Sequence, residues 1–158
     1  MLALAACANG DADQWIVGSS EQRKEHAQRL FVDYREPVFA FLKMYLGDFR
    51  DPDRRYRIYV SLFDEELDTS LRTRLAAAGV VVEPGWGCER GGGLALADWD
   101  GDVEVICIDI PGIQAMGASR YRIPVTHFEK TSVDHAYEAD AVVQLRDGEW
   151  QVIKLEPG

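Results

Sequence analysis

The sequence predicts an α+β fold: N-terminal helices packed on a mainly antiparallel sheet that ends in a β-meander, with a strand-helix-strand insert. Helical periodicity is confined to the first half of the chain, whereas the second half alternates like strands. The 158 residues, 47% of them hydrophobic, suit one domain with a sizeable core. We expect a short leading segment, residues 1–14, followed by a single domain over residues 15–158.

Two helices are predicted before residue 47. Ser19 and Gln22 form a capping-box pattern at the start of the first helix. Pro37 should break or kink it, because proline has no N–H and crowds the preceding turn. The run from residue 38 to residue 46 is apolar nearly all round, so we expect a deeply buried second helix that Gly47 ends.

The insert follows a charged loop. Residues 56–63 alternate as a strand, and Asp64 is then predicted to cap a helix with a stripe of leucines. The acids at positions 64–66 would complement the positive helix end. Gly79 ends this helix, and residues 80–83 read as a short second strand.

Only strands are predicted after the glycine-rich loop at residues 86–93. They cover residues 94–99, 103–110, 120–128, 135–145 and 149–155. Asp100-Gly101 and Asp147-Gly148 are dipeptides that tolerate the positive φ angles of tight hairpins, while residues 111–119 are predicted to be a longer loop. Successive hairpins imply an antiparallel meander whose apolar face the helices cover.

This order of elements resembles the helix-first, sheet-last plan of cystatin-like and nuclear-transport-factor-2-like domains. The closing stretch, residues 137–153, resembles their final hairpin, in which a glycine turn precedes Trp150 and an aliphatic strand. The whole is also similar to uncharacterised small bacterial lipoproteins. The resemblance implies an architecture and assigns no site residues.

The amino terminus suggests where in the cell the protein is located. Leu4-Ala5-Ala6-Cys7 resembles the lipobox of bacterial lipoproteins, whose signal peptide is removed before a cysteine that carries the lipid. The resemblance implies a periplasmic protein anchored to a membrane through Cys7 alone. A secretory signal needs a basic region and ~7–15 apolar residues, whereas six residues, none basic, precede Cys7. Either a longer precursor exists, or the match is accidental and the protein is cytoplasmic.

The three cysteines fit this hypothesis, because acylation of Cys7 leaves Cys88 and Cys107 free to pair. Such a disulfide would close a loop of about 20 residues, worth roughly 3 kcal/mol on the chain-entropy model. The alternative is two independent buried thiols.

The net charge of −10 argues against a nucleic-acid partner, which needs a basic face. It favours a protein partner with a basic surface, gripped by tryptophans in or beside loops, namely Trp15, Trp86 and Trp99. Equally, these rings could cap the ends of the core. No apolar run approaches the ~20 residues of a spanning helix.

No metal or cofactor site is predicted. Asp98, Asp100 and Asp102 have the spacing that begins a calcium loop, and Asp109 falls at its twelfth position. However, Val103 stands where the loop needs glycine, so a solvated hairpin turn is the stronger interpretation.

His127, Asp134 and His135 surround one predicted hairpin and could act as an acid and a base. No framed nucleophile accompanies them, and His127 shares a strand face with apolar residues, so we predict no catalytic residue. We expect a lipid-anchored protein that binds a protein or small ligand. The alternative is a pocket enzyme or small-ligand carrier that uses His127 or His135, and a structural envelope protein also stays open.

Overall fold

The computed structural model describes residues 13–15, 34–50, 56–85, 104–117, 119–130 and 134–157. These residues form two α-helices, a 3-10 turn and eight strands of a single sheet. The mixture of helices and strands, dominated by strands, confirms the coarse prediction. In chain order the elements are β1 (Asp13–Trp15), α1 (Arg35–Tyr45), the 3-10 turn (Gly47–Arg50), β2 (Tyr56–Leu62), β3 (Glu65–Glu66), α2 (Thr69–Ala77), β4 (Glu104–Ile110), β5 (Gln114–Met116), β6 (Arg120–Lys130), β7 (Asp134–Arg146) and β8 (Glu149–Pro157).

The long strand β6 organises the sheet. One edge of β6 pairs antiparallel with β4 and then with β5, and the other edge pairs with β7, which pairs in turn with β8. Beyond β4 lies β2, which runs parallel to it, with β3 antiparallel on β2. The strand β1 pairs antiparallel with β5, so two residues assigned to the leading segment, Asp13 and Gln14, belong to the sheet.

Both helices pack on one face of the sheet, which we call the inner face. On α1 the fully buried Val38, Phe41 and Leu42 recur at helical spacing and belong to the same core cluster as alternate residues of β6 and β7, such as Ile123 and Ala141. The helix lies against β7, β8 and α2. Buried apolar side chains form the core between α1 and the sheet. The opposite, outer face carries a small apolar cluster of Val105, Cys107 and Phe128 beside Tyr59.

The position of Pro37 differs from the prediction. α1 begins at Arg35, and Pro37 lies in its first turn. The N–H groups of the first turn have no partner within the helix, so proline is tolerated there and does not separate two helices at this point. The helix predicted from Ser19 onward lies outside the described residues.

Two details of the insert were wrong. Asp64 does not cap α2, because Phe63 and Asp64 form a turn with positive φ angles that leads into β3. The cap is Asp68, whose Oδ1 accepts a hydrogen bond of 2.8 Å from the backbone N–H of Leu71. The predicted second strand, residues 80–83, contributes one isolated bridge, between Val82 and Ile58.

The predicted strands after residue 103 agree with β4, β6, β7 and β8 within a few residues, but the loop over residues 111–119 contains β5. Asp109 lies opposite Thr126 and Gln114 lies opposite Arg122. The span from 109 to 114 is five steps and that from 126 to 122 is four, so one extra residue bulges between β4 and β5. The strand predicted at residues 94–99 lies outside the described residues.

A candidate binding site at one end of the inner face

His127 lies on the inner face of β6, between Ile108 of β4 and Tyr137 of β7. Its side chain is only 5% exposed. The helix α1 ends at Tyr45, which brings the hydroxyl oxygen of that residue 2.7 Å from Nδ1 of the imidazole. One hydrogen bond therefore joins the end of the helix to the middle of the sheet.

Aromatic rings surround the imidazole. The ring centroids of Tyr45, Phe49 and Tyr137 lie 5.6, 6.2 and 4.7 Å from that of His127. Phe49 is placed by the 3-10 turn that follows α1, and it packs edge-on against Tyr56 at 5.0 Å. We call Tyr45, Phe49, His127, Glu129 and Tyr137 the His127 cluster.

Glu129 supplies the negative charge of this cluster. Its Oε1 lies 3.2 Å from Nε2 of His127, and its carboxylate accepts a hydrogen bond from the hydroxyl of Tyr137. The contact with Nε2 is close, but Nε2 is buried and makes no hydrogen bond with the described groups. The carboxylate is 22% exposed, and no lysine or arginine pairs with it among the side chains that the structure describes.

Burial sets the protonation states. It lowers the pKa of His127, and the nearby Glu129 carboxylate offsets only part of this effect. Burial also raises the pKa of Tyr45 to about 12, with a smaller contribution from the charge of Glu129. Burial, followed by the hydrogen bond to Glu129, raises the pKa of Tyr137 to about 12. At neutral pH the imidazole is therefore neutral and both phenols keep their protons.

These states fix the direction of the hydrogen bonds. The carboxylate beside Nε2 favours the tautomer that carries its proton on Nε2, so Nδ1 accepts a hydrogen bond from the Tyr45 hydroxyl. The result is a chain of carboxylate, imidazole and phenol. Solvent meets mainly the ring of Tyr137, which is 46% exposed, and the edge of Glu129. The cluster therefore presents an aromatic ring beside an anionic oxygen.

The structure brings together only part of the predicted histidine group. The β6–β7 register places His135 opposite Glu129, at a position on the same face as Tyr137, whereas Asp134 holds a position on the other face. The carboxylate that the structure describes beside His127 is that of Glu129. The side chains of Asp134 and His135 lie outside the described part.

Tyr45, Glu129 and Tyr137 were not identified from the sequence. The period of two along β6 is a signal that could have found Glu129, since it lies two residues beyond His127. No sequence signal connects Tyr45, because it reaches the site from a helix 82 positions away.

Most of the other predicted site residues lie outside the residues that the structure describes. Cys7, Cys88, Trp86, Trp99 and the acids at positions 98–102 are among them, and the side chain of Trp15 is another. Cys107 is fully buried in β4 on the outer face, and its pairing with Cys88 stays a prediction. Among the described residues no group of three or more histidine, cysteine or acidic side chains could hold a metal ion.

A second concavity lies on the outer face, where the bulge interrupts the ladder. This cleft of about 210 Å³ is lined by Pro111 and Pro124 together with Thr126, Glu138 and Asp140. Asp140 is already paired with Arg122 at 2.9 Å. Neither of the described helices is long and apolar enough to cross a bilayer.

Comparison with known proteins gives no relative. No family model matches the chain, and no curated protein or solved structure matches it at a significant level. The case for a function therefore depends on the residues themselves.

Proposed function

We propose that this protein is a small lipid-anchored periplasmic protein that acts by binding, with the His127 cluster as its recognition site. The observation that carries the proposal is the exposed ring of Tyr137 held beside the half-buried carboxylate of Glu129. A rigid ring next to an oriented polar group is the usual composition of a ligand site.

Binding suits the geometry better than turnover does. The reactive group would be the His127 imidazole, but its Nδ1 is occupied by Tyr45 and its Nε2 is buried. A substrate must reach within ~3 Å of a general base, directly or through one water molecule. The ring of Tyr137 and the carboxylate of Glu129 lie between the imidazole and solvent, so a ligand meets these two groups first.

The remaining features of the proposal derive from the sequence. The lipobox-like start supports an anchor at Cys7, and the likeness to cystatin-like and nuclear-transport-factor-2-like domains supports an antiparallel sheet that helices cover on one face. The charge of −10 also fits a protein partner with a basic surface, which would meet the same carboxylate. The Cys88–Cys107 disulfide fits an exported protein, in which oxidised cysteines persist.

The anchor is tested by palmitate labelling of the natural full-length gene product in its bacterial host. The wild type and Cys88→Ser should take up label, whereas Cys7→Ser should not. An unlabelled wild type, or label retained by Cys7→Ser, would contradict the anchor at this residue.

The site is tested by a fragment screen followed by NMR of the aromatic side chains. Ligands should shift the ring signals of Tyr137 and His127, and Tyr137→Leu should weaken their binding, whereas Tyr59→Leu on the outer face should not. If no fragment perturbs the cluster, or all hits map to the outer-face cleft, the proposed site is wrong.

A second candidate function is acid-base chemistry, which the chain from Glu129 through His127 to Tyr45 favours. The Glu129 carboxylate could take a proton from a bound molecule and return it, while the His127 imidazole, held by the Tyr45 hydroxyl, would position that carboxylate. In a turnover screen with activated esters, this candidate requires that His127→Gln and Tyr45→Phe both abolish a measured rate. A rate unaffected by both would exclude it for that reaction.

A further inference from the structure

We propose that the His127 cluster takes a small organic cation, with an ammonium group placed over Tyr137 and beside Glu129. This inference rests on the binding function proposed above and names its ligand class.

The negative charge of Glu129 favours a cationic ligand. Glu129 is mostly buried, and its two described partners are the phenol of Tyr137 and the edge of a neutral imidazole. Neither partner neutralises it. A partly buried carboxylate is less stable without a cation beside it than with one, and a bound ammonium group would provide the counter-charge.

The aromatic rings of the His127 cluster also favour a cationic ligand. Tyr137 exposes nearly half of its surface and packs on the ring of His127, which the rings of Tyr45 and Phe49 also contact. Aromatic faces attract cations through their quadrupole, and this attraction grows when the cation is shielded from water. The ring and the carboxylate select the same kind of ligand.

The His127 cluster disfavours anions and metal ions. An anionic ligand would meet the Glu129 carboxylate within a chain of net charge −10. A metal ion would find one carboxylate and an imidazole whose outward nitrogen carries a proton, which is a poor ligand set. The imidazole lies behind Glu129, with its Nε2 3.2 Å from Oε1 of the carboxylate, so the exposed edge of the carboxylate is the part that a ligand would meet.

The experiment compares choline with its uncharged isostere, 3,3-dimethylbutan-1-ol, by titration of the folded protein with NMR detection of the Tyr137 and His127 rings. Choline should bind at least about tenfold more tightly than the isostere, since that is the scale of a shielded cation–ring contact. Glu129→Gln should lose this preference, because the amide keeps a hydrogen-bond acceptor for Tyr137 but has no charge. Glu138→Gln removes the same charge from the outer face of the neighbouring strand and should keep the preference.

Tyr137→Phe separates the ring from its hydroxyl and should retain choline binding, whereas Tyr137→Leu should lose it. Equal binding of choline and the isostere would overturn the cation proposal and leave the binding site standing. Loss of preference in Glu138→Gln to the same extent as in Glu129→Gln would reduce the effect to general charge and overturn it as well. If choline has no effect on either ring while uncharged fragments do, the ligand class is wrong. If no compound shifts either ring, the proposed function itself fails.

Discussion

The hydrogen bond between Tyr45 and His127 is the most direct way to test how the site is built. Tyr45→Phe removes only the hydroxyl that contacts Nδ1 at 2.7 Å and keeps the ring that stacks on Phe41 at a centroid distance of 5.1 Å. The substitution therefore leaves the apolar packing intact. It also leaves Nδ1 without a partner in a ring whose Nε2 already has none.

The expected loss follows from that burial. Leaving a buried polar atom unsatisfied costs ~1–3 kcal/mol. For a chain of 150–250 residues, each 1 kcal/mol shifts the melting temperature by ~2–4 °C. We therefore expect Tyr45→Phe to lower the free energy of unfolding by about 1–3 kcal/mol in urea titrations. Tyr59→Phe removes the same hydroxyl from a residue beside the outer-face cluster, and its change should stay within ~0.5 kcal/mol.

The comparison of these two variants shows whether the Tyr45–His127 hydrogen bond stabilises the fold. Equal stability of Tyr45→Phe and Tyr59→Phe would mean that the bond to Nδ1 makes no net contribution, and the chain from Glu129 to Tyr45 would lose its support. A double variant with His127→Leu separates the pair term, because Tyr45→Phe should then cost much less in that background.

Three further outcomes are expected. Burial lowers the pKa of His127 below its ordinary value of 6.5, so on acidification this imidazole is protonated in the unfolded chain before it is protonated in the folded protein. The free energy of unfolding should therefore fall as the pH drops from about 6.5 and level off below the folded-state pKa. Urea midpoints across this window should show the fall in the wild type, and His127→Gln should reduce it. Asp68→Ala removes the cap of α2 and should lower the free energy of unfolding by ~0.5–2 kcal/mol. Asp68→Asn should lower it much less, because the amide keeps the hydrogen-bond acceptor and loses only the half-exposed ion pair with Arg35 at 3.3 Å. Equal losses in the two variants would assign the effect to the ion pair. Gly148→Ala should cost ~1 kcal/mol because its φ is +80° while nothing lies within 4 Å of the added carbon, and an unchanged melting temperature would show that the turn relaxes.

Regular periodicity and turn chemistry made much of the sheet predictable. The long alternating strands β6 and β7 and the Asp147-Gly148 turn follow local rules, and each was identified within a few residues. Local rules failed where pairing depends on distant residues. The short strand β5 forms because β6 offers an edge to it, although Pro111 and Gly112 make the segment resemble a loop. The parallel pairing of β2 with β4 likewise has no local signature.

The candidate site was only partly predictable for the same reason. Asp64 and Asp68 both stand before an apolar helical stripe, and only the left-handed turn at Phe63 and Asp64 decides which of them caps the helix. His127 was singled out because it lies with Asp134 and His135 around one predicted hairpin, and its apolar strand face argued against catalysis. Its partner Tyr45 depends on where α1 ends over the sheet, and that docking is a tertiary property.

The position of the site follows from the length of α1 relative to the sheet. Along the inner face of β6 the residues change from Ile123 and Val125, which are buried under the helix, to His127 and then to the partly exposed Glu129. The helix ends at Tyr45, so the sheet extends past its cover. Polar groups are tolerated at that end because water reaches them, while the rings of the last helical turn and of β7 still limit its access. The end of α1 at Tyr45 therefore places a charged, ring-lined cluster beside an otherwise apolar core.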